Sequence, residues 1–278
     1  MKSLLHEDAG SSPASAWRPN GSRFNQKTWL FDLDNTLHNA SAHIFPRIHV
    51  SMMAYICRHL NVDEAEATRL RQTYWKRYGA TLLGMMRHHG TDPRHFLQQT
   101  HAFDDLASMV VSERGLKQML QRLPGRKIIL KGNHDYWWGT ATKMKKFFEA
   151  HGIESIDILF NNCFFYGDYA LCGTRGWFYE EARGEAHDRK IMLREVGRLE
   201  TSLKAAGDKT KLVFLHYPPK YLGYECPEIL DLLDAYHVPL CCYGHIHSRG
   251  CRSAFQGMYH DTEFRLLSAD YISFCPRR

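Results

Sequence analysis

Two groups of residues in this chain have the types and spacing needed for phosphate-ester chemistry. In the first, the apolar run Trp29-Leu30-Phe31 leads into Asp32-Leu33-Asp34-Asn35-Thr36. Carboxylates at i and i+2 past a strand end project to the same side of the chain. Beside Mg²⁺, one can attack phosphorus while the other protonates the leaving oxygen and then activates water. A helix cap or Asx-turn at Asp34 and Asn35 is the plain structural alternative. The second group is Gly132-Asn133-His134-Asp135, then His216, then Gly244-His245-Ile246-His247. Amide, imidazole and carboxylate donors of this kind suit a pair of divalent ions such as Mn²⁺, Fe or Zn²⁺. G-H-x-H places two imidazoles on one loop, able to serve two metals about 3.5–4 Å apart.

The elements that must position these groups can be read from periodicity. A buried parallel strand is expected from Lys27 to Asp34. Helices are expected at 44–60, at 63–78, at 93–101 after Asp92-Pro93, and around Leu116, Met119, Leu120 and Leu123. Arg126 to Leu130 is the next strand. The excursion between the two strands is too long for a simple crossover, so an inserted helical cap is expected. Downstream, strands are expected at 157–160, 163–166, 169–172, 211–215, 239–243 and 264–274, with a two-residue hairpin turn at Gly167-Asp168. Helices fit at 140–150, 187–206 and 227–235. Asn133 and His134, His216, and the pair His245 and His247 each follow a strand of their own, so these groups should gather at strand C-terminal ends, where α/β sheets place ligands.

Composition narrows the partners. A length of 278 residues with 44% hydrophobic content suits one large α/β core or two small ones. The net charge of +6 is spread out, without the basic run of a nucleic-acid stripe, and suits an anionic substrate. Of eight cysteines only Cys57 precedes residue 131, and no C-x-x-C pair occurs. Free thiols in a reducing cytosol are therefore expected. The first 24 residues are rich in Ser, Pro, Gly and Ala and read as a disordered tail, without signal or transit character. No apolar window is long enough for a membrane span.

The segment WLFDLDNTLHNA, with Tyr74-Trp75, Tyr78-Gly79 and Phe103-Asp104-Asp105-Leu106 behind it, resembles the haloacid dehalogenase superfamily, in its pyrimidine 5′-nucleotidase-type branch. The resemblance covers residues 27–130. It implies Asp32 as nucleophile and Asp34 as general acid/base, both helping to hold Mg²⁺, Asp34 through its backbone carbonyl. That pattern also needs a Thr or Ser after the next strand and a later acidic pair. Lys131-Gly132-Asn133 stands in place of the hydroxyl, no acidic pair follows a suitable strand, and Asp168 lies in the hairpin turn.

Residues 123–278 resemble the calcineurin-like metallophosphoesterase superfamily. G-N-H-D, the single His216 and G-H-I-H carry the likeness, with Cys172-Gly173-Thr174-Arg175-Gly176-Trp177 and Ser268-Ala269-Asp270-Tyr271 pointing to one bacterial branch. The resemblance implies that Asn133, His216 and His245 bind one metal and His247 the other. His134 would protonate the leaving group or steady the transition state, Asp135 would orient it, and a metal-bridging hydroxide would attack. The D-x-H and G-D motifs that this pattern places upstream are missing. Asp32-Leu33-Asp34 stands where Asp-x-His would, so Asp32 could serve as first-strand ligand with Asp34 replacing the histidine.

The expectation is thus an α/β protein: a tail over 1–24, a Rossmann-like strand with helical cap over 25–130, and the C-terminal half of an αββα sandwich over 131–278. The two parts would be fused through Leu123–Leu130, a stretch that fits both families. The expected function is metal-dependent hydrolysis of a small phosphorylated substrate, a phosphomonoester with nucleotides among the candidates, without nucleic acid or membrane partners, in the cytoplasm. The alternatives are an Asp32-dependent nucleotide phosphatase using Mg²⁺, or an inert fusion lacking half of each site.

Overall fold

Thr28–Asp32 forms the first strand, β1, and the helical excursion follows it in the computed structural model, which describes residues 27–78, 81–133, 135, 138–177 and 186–277. The excursion comprises α1 (Ala40–Leu60), α2 (Glu64–Tyr78), α3 (Thr81–His89), α4 (Pro93–Thr100), α5 (Leu106–Met109) and α6 (Leu116–Arg122). Its helices build a core of their own from Tyr55, Ile56, Leu70, Met85 and Phe96. An inserted cap needs such a core to hold its shape. Asp92 caps α4 by accepting from the Arg94 amide, and Pro93 sits in the first turn, where its missing N–H is harmless.

The chain returns as β2 (Arg126–Leu130), parallel to β1 with Thr28 opposite Arg126 and Asp32 opposite Leu130. Gly125 makes this return possible: its φ is +90°, and a Cβ there would overlap the Lys27 carbonyl. Helix α7 (Ala141–Ala150), capped by Thr140, then crosses over to β3 (Ile156–Leu159), parallel to β2. The resulting three-stranded sheet takes strands from both sides of residue 130.

The remaining strands form a second sheet. β4 (Cys163–Tyr166) and β5 (Tyr169–Thr174) make the expected hairpin, with Gly167 at φ +57° in its turn. Helix α8 (Ala186–Ala205) leads to β6 (Thr210–Leu215), and the short pair β7 (Lys220–Tyr221) and β8 (Tyr224–Glu225) precedes α9 (Pro227–Ala235). Then come β9 (Leu240–Tyr243), β10 (Gly257–Tyr259) and β11 (Thr262–Leu266). The sheet order is β10-β11-β9-β6-β5-β4, with β5, β6, β9 and β11 mutually parallel.

The two sheets face each other. Ile128, Leu130 and Leu159 from the first pack on Phe164 and Leu171 of the second, with Leu30, Leu212 and Phe214 at the margin. Met144 and Phe148 of α7 cover the outer face of the small sheet, and Met192, Leu199 and Ile229 of α8 and α9 cover the large one. The layers are therefore helix, sheet, sheet, helix, an αββα sandwich of which only the C-terminal half is expected from sequence; β1 pairs with β2 inside it and not in a separate Rossmann-like part. Leu159 is fully buried at the centre. Leu159→Ala should lower stability by about 2–5 kcal/mol through lost contacts and a residual cavity. A denaturation midpoint changed by less than about 1 kcal/mol would show that the sheets do not pack this way.

The strand expected over 264–274 is shorter. Beyond Leu266 the segment finds no further strand partner after Leu267 N–H reaches the Tyr243 carbonyl, and it winds into turns in which Phe274 N–H returns to Ala269 O. The tail over 1–24 lies outside the described residues. Among the described residues no helix is long and apolar enough to cross a membrane.

Candidate functional site

Because β1, β2, β5, β6 and β9 run parallel within their sheets, their C-terminal ends gather loops at one edge. The end of β1 supplies Asp32 and Asp34, the loop after β2 supplies Asn133 and Asp135, and those after β6 and β9 supply His216 and His245.

His216 is the hub. Its Nδ1 lies 2.9 and 3.1 Å from the two carboxylate oxygens of Asp32. Its Nε2 lies 2.8 Å from Asn133 Oδ1, 3.2 Å from His245 Nδ1 and 3.5 Å from Asp34 Oδ2. Burial alone would push this imidazole below its ordinary pKa. The Asp32 carboxylate, with Asp34 and Asp135 behind it, outweighs burial and holds it above. The Nδ1 edge of the ring thus faces the Asp32 carboxylate and the Nε2 edge faces the Asn133 side-chain carbonyl.

Both motif glycines are explained by the carboxylates of β1. A Cβ on Gly132 would overlap the Cβ and carboxylate of Asp34, and one on Gly244 would overlap Asp32 Oδ2. His245 holds a left-handed backbone, φ +66°, unusual for a residue with a side chain. The Tyr217 ring lies 4.5 Å from the His245 ring and 5.2 Å from that of His216, walling one side.

Asp135 is buried beside this cluster. One oxygen accepts the Gly132 amide at 2.8 Å, and the other lies 2.9 Å from His38 Nε2. Burial pushes its carboxyl up and Asp34 adds to that, against the opposing pull of His38 and the Gly132 amide; the net shift is upward. His38 went unnoticed in the sequence. It follows Asp34 within the turn after β1, and nothing in its spacing marks it. His134 lies outside the described residues. His247 stands apart: its Nδ1 is 2.9 Å from Asp270 Oδ1, whose other oxygen accepts the Ser248 amide at 2.6 Å. Burial raises Asp270, but the Ser248 amide and His247 outweigh it and hold the carboxyl below the usual range. In sequence Asp270 belongs only to the Ser268-Ala269-Asp270-Tyr271 family marker, and nothing local points to its partnership with His247.

Asp32, Asp34, Asn133, His216 and His245 thus converge, and they form an oxygen-and-nitrogen donor set of the kind that divalent ions take. Among the described residues no three His, Cys, Asp or Glu groups already surround a common point for an ion. The donors are closed on one another through His216. The residue types fit a divalent ion, which would replace the proton on His216 Nε2 and the hydrogen bonds around it.

Comparison with known proteins agrees with this geometry. Residues 103–249, just over half of the chain, match the family model described as calcineurin-like phosphoesterase. The match starts upstream of residue 123, within the helical segment, where Asp105 caps α5 by accepting from the Ser108 amide. The chain is also similar to Phosphate metabolism protein 8 of Saccharomyces cerevisiae, 27% identical over 137 residues, or 48% of this chain. Those residues span 40% of the length of that relative. The chain belongs to the calcineurin-like phosphoesterase family.

Proposed function

We propose that this protein is a metal-dependent hydrolase of small phosphomonoesters, nucleotides among them, whose centre combines the β1 carboxylates with the loops after β2, β6 and β9. The observation that carries this reading is the pairing of Asp32 with His216, residues 184 positions apart in sequence. Asp32 would then take the place of the first-strand ligand that the motif pattern lacks. Asp32, Asn133, His216 and His245 would hold one ion, Asp34 would assist in place of the usual histidine, and His247 would serve a second.

Bound Mn²⁺, Fe or Zn²⁺ would supply Lewis acidity at a phosphoryl oxygen and a water of lowered pKa. The protein's own part is positional. Asp135 clamps the Gly132 amide and so holds the loop bearing Asn133 and His134. His134 is the group assigned to protonate the leaving oxygen. Asp270 engages Nδ1 of His247, so Nε2 would be the nitrogen to serve as a ligand. Eight free cysteines accord with a reducing cytoplasm.

The helical insertion with its own core supports a second reading, in which residues 25–130 come from a haloacid dehalogenase-type phosphatase and Asp32 attacks phosphorus with Mg²⁺. Both oxygens of Asp32 face His216 Nδ1, an arrangement that suits a ligand better than a free nucleophile.

Hydrolysis of p-nitrophenyl phosphate and its bis-ester, with Mn²⁺ and with Mg²⁺, separates these readings. Turnover with Mn²⁺ should fall at least about 100-fold in Asp32→Asn and be abolished in His134→Ala. Turnover with Mg²⁺ that survives His216→Ala but not Asp32→Asn would favour the nucleophile. A folded protein inactive with both ions would overturn both and leave an inert fusion.

A further inference from the structure

Beside the His216 cluster lies a second buried polar network, which the proposed chemistry has not used. Glu195, on α8, is fully buried. It accepts from the Thr174 hydroxyl at 2.7 Å, from Arg175 at 3.3 Å, and from Arg198. A buried carboxylate with two guanidinium partners is rarely the most stable way to fill such a space, since desolvation opposes the attraction.

Arg175 sits at the end of β5, on the same sheet edge as the metal donors. Its carbonyl accepts the amides of His216 at 3.1 Å and Tyr217 at 2.9 Å, so its backbone is joined directly to the loop that carries the hub histidine. One end of its guanidinium is held by Glu195, and its plane lies 5.1 Å from the Trp177 ring. Its Nε–H is buried and finds no hydrogen-bond partner among the described residues. A buried, unfilled donor on a fixed guanidinium is a place made for an acceptor from outside. Lys131, the residue before Gly132-Asn133, lies within electrostatic reach of Arg175, Glu195 and Arg198, and of Asp135. Asp135 is already engaged by His38 and the Gly132 amide. The single carboxylate of Glu195 is held by two cations, Arg175 and Arg198, with Lys131 within electrostatic reach of all three.

We propose that Arg175, with Lys131 beside it, binds the phosphoryl oxygens of the substrate, and that Glu195 is the positioning residue that aims Arg175. The ligand class is a phosphate dianion, which a guanidinium meets with two parallel hydrogen bonds where an ammonium offers only a point charge. This inference rests on the phosphoester reading above.

The test uses the full chain loaded with Mn²⁺ and inorganic phosphate as probe. Calorimetry gives the phosphate Kd, and p-nitrophenyl phosphate gives KM and kcat. Arg175→Met should raise the phosphate Kd and KM by about 10- to 100-fold with a smaller change in kcat, while metal content stays at the wild-type level. Arg175→Lys, which keeps the charge and is the fallback if the first variant does not fold, should recover only part of the affinity. Glu195→Gln should move the phosphate Kd in the same direction by less. A merely structural network would shift the melting temperature of these variants and leave phosphate Kd and KM unchanged, and that result overturns the inference. Arg175-dependent phosphate binding in a chain without turnover would sustain it while removing the hydrolase reading. Turnover with Arg175-independent phosphate binding would do the reverse.

Discussion

His216→Ala will destabilise the metal-free protein by about 3–5 kcal/mol, because it strips the shared partner from the buried Asp34 carboxylate and the part-buried Asp32. The imidazole is fully buried and touches Asp32, Asn133 and His245 at once, with Asp34 just beyond. Asp32 and Asp34 would then both face the volume that the imidazole had filled. At this chain length the shift corresponds to a melting temperature lower by roughly 10 °C. Activity with Mn²⁺ should drop about a thousandfold, since the lost ligand is worth several kcal/mol of transition-state stabilisation. Thermal melts in chelator and steady-state kinetics check the two effects separately. A double-mutant cycle with Asp32→Asn should show a coupling above about 1 kcal/mol, as contacting residues do. Additive effects would mean that the two halves of the site do not meet.

Gly132→Ala is the second large effect, and it tests the same junction from the backbone side. The added methyl would overlap the Cβ of Asp34, an atom anchored to the β1 backbone. Rotation of the aspartate therefore cannot relieve it, and either the end of β1 or the Asn133 loop must move. Overpacking of this kind costs about 1–3 kcal/mol. A displacement of about 1 Å of Asn133 from His216 should lower kcat/KM about 100-fold. Gly244→Ala meets only the tip of the Asp32 carboxylate, which can turn away, so stability should suffer less. Wild-type activity and stability in Gly132→Ala would show that Asp34 does not lie against this loop.

Much of the secondary structure was legible from local pattern. The Gly167-Asp168 hairpin, the Pro93 start of α4 and the apolar spacing of α8 each depend on contacts a few residues apart, and each lies where periodicity placed it. The 264–274 strand was overextended because an apolar run alone does not reveal whether a neighbouring strand is there to pair with it. Very short elements such as α5 and β7 carry too few residues to show a period.

The donor residues of the site were legible as types: carboxylates, an amide and imidazoles after strand-like runs. Their assembly was not. Asp32 and His216 meet because Leu30, Ile128 and Leu159 bury themselves against Phe164 and Leu171, which lays one sheet over the other and brings the ends of β1 and β6 to one edge. That outcome depends on burial summed over two sheets, and no local stretch of chain encodes it. The same holds for the pairings of His38 with Asp135, Glu195 with Arg175 and Asp270 with His247, which span 97, 20 and 23 positions and join residues whose own surroundings in sequence are ordinary. Local spacing determines which groups can do chemistry; long-range packing of apolar faces decides which of them touch.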